Sequence, residues 1–155
     1  MNWSDLNLMP AMPEIVLLAL LGVVLLADLW ICDKNRYLTH LMSLGTVIVV
    51  AVTQLAVWEQ GSLLTFNGMY IADGMSRLAK LVLYALTFSL FIYSKPYNQD
   101  RHIFKGEFYT LSLFALLGMS VMVSSAHFLT AYIGLELLSL SLYAMIALRR
   151  DSGRS

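Results

Sequence analysis

Charge is what this 155-residue chain has least of: 13% of its residues are charged, against about 25% in an average soluble protein. Ten basic and ten acidic side chains cancel, leaving no excess of either sign to attract a nucleic acid or to hold a polybasic face on a membrane surface. The single cysteine, Cys32, excludes a disulfide within the chain, and with it an iron–sulfur cluster or a c-type haem attachment. There are three prolines, Pro10, Pro13 and Pro96. All lie outside the long apolar runs, so helices there are expected to be unbroken. No phosphate-binding loop, dinucleotide fingerprint or histidine pair at metal-ligand spacing is found; His40, His102 and His127 stand singly, on different expected loops. What the chain does have is 59% hydrophobic residues. A soluble domain of this size cannot hide that much apolar surface, and the remaining class is an integral membrane protein.

A spanning helix needs about 20 mostly apolar residues. Five stretches qualify: 15–31, 41–57, 75–93, 108–125 and 128–148. The last two require a turn between them, because residues 108–148 as one helix would run about 62 Å, twice the hydrocarbon thickness. Ser124-Ser125-Ala126-His127 is the only suitable polar interruption. The expectation is therefore an all-α, polytopic membrane bundle of five transmembrane helices in a single membrane domain, 1–155.

Basic residues orient it. Lys34, Arg36, Lys95, Arg101, Lys105, Arg149, Arg150 and Arg154 all fall on one side, and the other side has none. The positive-inside rule then predicts a periplasmic amino terminus and a cytoplasmic carboxyl terminus. The first span is expected to be a retained helix rather than a signal peptide, since Asp5 and no basic residue precede it. Trp3, Trp30, Tyr37, Trp58, Tyr70 and Tyr93 are expected at the interfaces, where amphipathic rings sit at headgroup level.

Function is sought in the polar groups that lipid makes expensive. Glu136 lies two positions from the middle of 128–148, within about 3 Å of the midplane. A charge there costs about 2.5–3.5 kcal/mol by insertion scales. Taking up a proton avoids part of that cost, which suits a carboxyl to proton transfer; the alternative is a structural carboxyl bonded between helices. Tyr132, Ser139 and Tyr143 lie within about 60° of Glu136 on a helical wheel and predict an inward polar stripe, with Gly134, Leu138 and Met145 opposite. In the third span Asp73, Arg77, Lys80, Tyr84, Thr87 and Ser94 share a face. Asp73 and Arg77 can pair as i, i+4 at the outer interface. Lys80 is expected to snorkel to the headgroups, the alternative being a fixed charge inside the bundle. Hydroxyl stripes on the second span (Ser43, Thr46, Thr53) and the fourth (Tyr109, Ser112, Ser120, Ser124) are expected to favour close helix packing. His127 is a candidate for proton delivery because histidine is the residue type suited to it, although a histidine in a surface turn is more often simply solvated.

The runs Gly106-Glu107-Phe108-Tyr109, Ser125-Ala126-His127-Phe128-Leu129 and Gly134-Leu135-Glu136-Leu137-Leu138-Ser139-Leu140-Ser141-Leu142-Tyr143-Ala144, with Asp73-Gly74 opening a span, resemble the subunit N family of the proton-pumping NADH-quinone oxidoreductases, respiratory complex I. The resemblance implies an antiporter-like membrane-arm subunit in the bacterial inner membrane. In such subunits a fifth-helix glutamate, matched by Glu136, works with lysines on later helices to move protons. It also implies other membrane subunits of complex I and lipid as partners, and no nucleic acid. No cofactor is implied in this chain, with NADH, FMN, Fe–S clusters and quinone handled by other subunits. Family members have about fourteen spans built from inverted repeats. The chain therefore looks like the first part of a longer subunit, and these 155 residues alone are expected not to pump. At Ser141 many relatives carry proline; serine leaves the helix straighter. A subunit of a multi-chain sodium/proton antiporter or of a membrane-bound hydrogenase, a non-transporting membrane scaffold and a small stand-alone transporter are the alternatives.

Overall fold

The computed structural model describes residues 8–30, 36–58, 63–66, 68–100 and 106–151. Trp3, Asp5, Cys32, Lys34, Arg101, His102, Lys105 and Arg154 lie outside the described residues, as do the side chains of Arg36, Lys95, Arg149 and Arg150. Five helices follow one another: α1 Met12–Trp30, entered through a 3₁₀ turn Met9–Ala11, then α2 Arg36–Ala56, α3 Gly74–Asp100, α4 Gly106–Val123 and α5 Phe128–Asp151. Each holds a stretch long and apolar enough to cross a membrane. Helices are the required form, because hydrocarbon offers no partner for an unbonded backbone N–H or C=O.

Several boundaries differ from expectation, and α2 already begins at Arg36, five residues before the expected span at Leu41. The first apolar span begins at Met9 rather than Ile15 and so takes in Pro10, Pro13 and Glu14. Pro13 is the second residue of α1, where a missing N–H forfeits no intrahelical bond. Likewise α3 runs past Tyr93 and through Pro96 to Asp100. Pro96 removes one donor near the helix end, a smaller loss than in mid-span.

The loop between α2 and α3 is not featureless. Strand β1 Leu63–Thr65 pairs antiparallel with β2 Tyr70–Ala72, with Leu63 opposite Ala72 and Thr65 opposite Tyr70. The connection contains two left-handed residues, Phe66 at φ 53° and Gly68 at φ 80°, of which only the glycine adopts this region freely. Two strands alone are marginal. Here the outer edge of β2 is taken up by the α4–α5 turn: Ile71 N–H donates to the Ser124 carbonyl at 2.9 Å and Ala126 N–H to that of Met69 at 3.0 Å. The hairpin thus closes one end of the bundle, the end where α1, α3 and α5 begin.

Asp73 fixes the start of α3. Its carboxylate accepts from Ser76 N–H at 2.7 Å while its own N–H donates to the Ser76 hydroxyl at 3.1 Å, a reciprocal cap. These bonds hold the Asp73 carboxyl below its ordinary range. Arg77, one turn on from Asp73, directs Nη1 to the Trp58 carbonyl at 2.6 Å, and its charge also acts on the Asp73 carboxyl. At the opposite end the Asp28 carboxylate accepts from the Thr39 hydroxyl at 2.9 Å and occupies the space where a side chain on Gly106 would lie. A carboxylate at the first residue of α4 suits the positive end of that helix.

Helix α4 packs against all four others and is the most buried of the five, whereas α5 is the least. Leu17, Leu21, Val47, Val50, Leu113 and Leu116 interlock with Tyr84, Phe91 and Tyr109 in the core. The buried hydroxyls of Ser43, Thr46, Ser112 and Ser120 do not bond across helices. Each donates to a carbonyl of its own helix three or four residues back, so their contribution to association is small size, which lets backbones approach. The closest approach is between α4 and α5. A Cβ on Gly134 would stand 2.8 Å from the Gly118 carbonyl oxygen, and a Cβ on Gly118 would stand 2.8 Å from that of Gly134. Gly134→Leu should therefore separate α5 from α4 and cost about 1–3 kcal/mol or more. Protease resistance of α5 in membranes carrying the full-length protein would drop, and Gly22→Leu, at a position with open space beside it, would leave it unchanged.

Candidate functional site

Lys80 does not snorkel. It sits on α3 six residues from the helix start, about 9 Å in, and is 1% exposed. Its ammonium pairs with Glu14 Oε1 of α1 at 2.5 Å and donates to the Tyr70 hydroxyl of β2 at 2.8 Å. The Tyr70 hydroxyl lies 2.9 Å from Glu14 Oε2 and 3.0 Å from the Pro10 carbonyl, with one hydrogen to give and two acceptors in reach. Glu14 is itself 7% exposed and Tyr70 6%. Burial first, and the Glu14 charge second, push the Tyr70 phenol well above its ordinary range, so it stays protonated. Helix α1 thus meets β2 and α3, 56 or more positions further along the chain, in one closed polar cluster.

Each is there for a local reason. The early start of α1, at Pro10 and Pro13, carries Glu14 into the span. The reciprocal cap at Asp73 sets the register that turns Lys80 inward, and the strand pairing of β2 turns Tyr70 under the hairpin. Snorkelling is replaced because an opposite charge is already in place within the bundle. Glu14 and Tyr70 are not among the site residues that the sequence points to: Glu14 precedes the expected span, and Tyr70 reads as part of an interfacial belt. One signal pointed to them. Lys80 was a buried-face cation in need of an anion, and Glu14 is the only acid among residues 8–27.

The other expected site residues are not brought into this cluster. Glu136 is on the exposed face of α5, where its carboxylate has no hydrogen bond or ion pair among the described residues. Tyr132 is 54% and Tyr143 68% exposed, and the Ser139 hydroxyl bonds back to the Glu136 carbonyl at 3.0 Å. The expected inward stripe faces out of this five-helix bundle. The inward side is the opposite one, with Gly134 and Ser141 buried, because only glycine allows the contact with Gly118. His127 caps α5, its Nδ1 accepting from Leu129 N–H at 3.2 Å, and is exposed. His40 is not on a loop; it is buried within α2, edge-on to Tyr109 at 5.2 Å between ring centroids. An apolar groove of about 280 Å³ runs between α1, α4 and α5, with Glu14 and Tyr70 in its wall beside Ile15, Leu117, Val121 and Leu137.

Together these features define a polytopic helical membrane protein with a closed charge pair under a hairpin and a lone acid in mid-span on an outer face. No family model matches the chain. Its relatives are explicit: it is 76% identical over 153 residues to NADH-quinone oxidoreductase subunit N of Neisseria gonorrhoeae, covering 99% of this chain and 32% of that protein. Identity to the subunit N of Laribacter hongkongensis is 52% over 152 residues, and to that of Thioalkalivibrio sulfidiphilus 47% over 155. Over nearly its whole length the chain is homologous to NADH-quinone oxidoreductase subunit N. It spans about a third of the length of these curated relatives.

Breaking the cluster should be costly. Lys80→Met leaves Glu14 buried without its cation and is expected to destabilise the full-length protein by about 3–5 kcal/mol, whereas the double change Glu14→Gln with Lys80→Met should recover most of that loss. Thermal unfolding of the three proteins in detergent checks the order.

Proposed function

We infer that this chain is part of a subunit N, an antiporter-like membrane-arm component of an NADH-quinone oxidoreductase that takes part in moving protons as electrons pass from NADH to quinone. The observation that carries the reading is 76% identity along 99% of the chain to a protein of that name. The mid-span acid supports it: Glu136 stands within a 21-residue apolar helix, and an ionisable group there is a functional-site candidate by default. The bacterial inner membrane is the proposed location and the other membrane subunits of the complex the proposed partners. NADH, FMN, Fe–S clusters and quinone belong to other subunits in this reading.

The proposed mechanism uses the exposed face of α5. Glu136, Tyr132 and Tyr143 are exposed in the five-helix bundle, and the relatives are about three times as long as this chain. In this reading the groups that complete the site come from helices that correspond to the rest of those relatives. A cation moving toward the Glu136 carboxylate favours its charged form, and one moving away favours the protonated form. Alternating between the two lets Glu136 take a proton from one side and yield it to the next group. Ser139 and Tyr143 lie a turn or two further along the same face as hydrogen-bonding neighbours, and His127, at the α4–α5 turn, is a candidate for delivery.

Replacing Glu136 by Gln in the full-length, assembled complex should lower coupled proton uptake severalfold while leaving assembly intact. Wild-type uptake per NADH in membrane vesicles would sink the reading and leave a membrane scaffold in its place. Orientation has its own check. In a Cys32→Ser background, a cysteine at Ala126 should react with a membrane-impermeant maleimide added from outside, and one at Ser152 only after the membrane is opened.

A further inference from the structure

A buried ion pair is a poor stabiliser. Removing two charges from water costs so much that apolar residues of similar volume commonly do as well, and in a bundle surrounded by lipid the reference for both charges is worse still. Packing alone therefore gives no reason for Glu14 and Lys80 to be where they are. The arrangement around them has two further properties. First, the Tyr70 hydroxyl has one hydrogen and two acceptors, Glu14 Oε2 at 2.9 Å and the Pro10 carbonyl at 3.0 Å, and it accepts from Lys80 in either case. It can let go of Glu14 without being left unbonded. Second, the buried Tyr84 hydroxyl, one turn further into the bundle on the same face of α3, has no hydrogen-bond partner among the described residues. It is the next proton-carrying group along that face, with Thr87 one turn beyond it. The other charges acting on Lys80 are Arg77 and Asp73, both toward the hairpin. The groove wall at Glu14 and Tyr70 is apolar, so a proton reaches the pair along α3 and not from the groove.

The geometry points to Glu14, Lys80 and Tyr70 as a second proton-holding site of this subunit, separate from Glu136 and placed at the hairpin end of the bundle. This rests on the reading of the chain as part of a proton-moving subunit. In the resting state Glu14 is a carboxylate, Lys80 an ammonium and Tyr70 donates to Glu14. A proton arriving from the Tyr84 side is taken by Glu14, which becomes a carboxylic acid, and the Tyr70 hydroxyl turns to Pro10. The Lys80 ammonium, without its anion, gives one proton to water at the hairpin end and becomes an amine. The amine then takes the proton held by Glu14, which restores the carboxylate and the ammonium. One proton enters, one leaves, and no electron is transferred. The Tyr70 phenol keeps its own proton throughout and changes only its acceptor.

The test uses the full-length subunit in the assembled complex, in membrane vesicles, with NADH oxidation and proton uptake read together. Glu14→Gln with Lys80→Met removes both charges and leaves no unpaired ion. Lys80→Arg keeps the charge on a group that does not give up its proton. Tyr70→Phe leaves the pair and removes only the hydroxyl. All three are expected to oxidise NADH with fewer protons taken up per NADH. A wild-type proton count in either charge variant, once assembled, would overturn the proposal. If neither assembles, Tyr70→Phe decides: a reduced count supports the site and a wild-type count overturns it. Glu136→Gln in the same vesicles keeps the two readings apart. A loss in the pair variants with none in Glu136→Gln retains this site and removes the other, and the reverse result removes this site alone.

Discussion

Lys80 meeting Glu14 inside the bundle is the contact on which the hairpin end of the structure depends. A buried ammonium requires an anion, and that anion is on α1, so α1 and α3 are locked in one register. The lock needs a lid, because a charge pair about 9 Å from the start of α3 would otherwise stand in continuous contact with water rather than meet it only at the hairpin end. The hairpin supplies the lid, with Tyr70 as its inner residue bonded to both charges. The hairpin in turn is held by the α4–α5 turn. Charge pair, hairpin and turn therefore form one mechanical unit, although they come from four separate parts of the chain.

The other half of the bundle is organised by the absence of side chains. Gly118 and Gly134 bring α4 and α5 into backbone contact, and in lipid such contact counts for more than apolar side chains, which gain little by leaving hydrocarbon for a protein interior. This contact also decides where Glu136 goes. With Gly134 turned to α4, Glu136 two residues on is turned away from it, about 200° around the helix. A glycine chosen for close packing and an acid placed at mid-span are thus one design: the first presents the second outward, to whatever completes the subunit.

Much of this was legible in the sequence, and the errors have a common cause. Five spans, the tight turn at 124–127 and the shared face of Arg77, Lys80, Tyr84 and Thr87 follow from run length and periodicity, which are local. The resemblance in Gly134 to Ala144 points to the same subunit N relatives that share 47–76% identity with the chain. Helical periodicity says that Tyr132, Glu136 and Tyr143 share a face, but not which neighbour that face meets. Lys80 reads as a headgroup residue from local pattern because its partner, Glu14, is 66 positions away. Tyr70 was placed at the interface because aromatic residues near span ends usually belong there, and the short strands around it carry too little pattern to announce a hairpin.

By itself, then, the sequence determined that the chain crosses a membrane five times, where it turns, and that an acid stands at the middle of the last span, because hydrocarbon imposes length, apolarity and helical bonding on each segment separately. Tertiary structure decided which face of each helix looks inward, that Lys80 is paired with Glu14 under Tyr70, and that Glu136 faces out. Those outcomes depend on contacts between segments, on a close approach that only glycine permits and on a charge that must find its opposite, and neither is written in the spacing of any one helix.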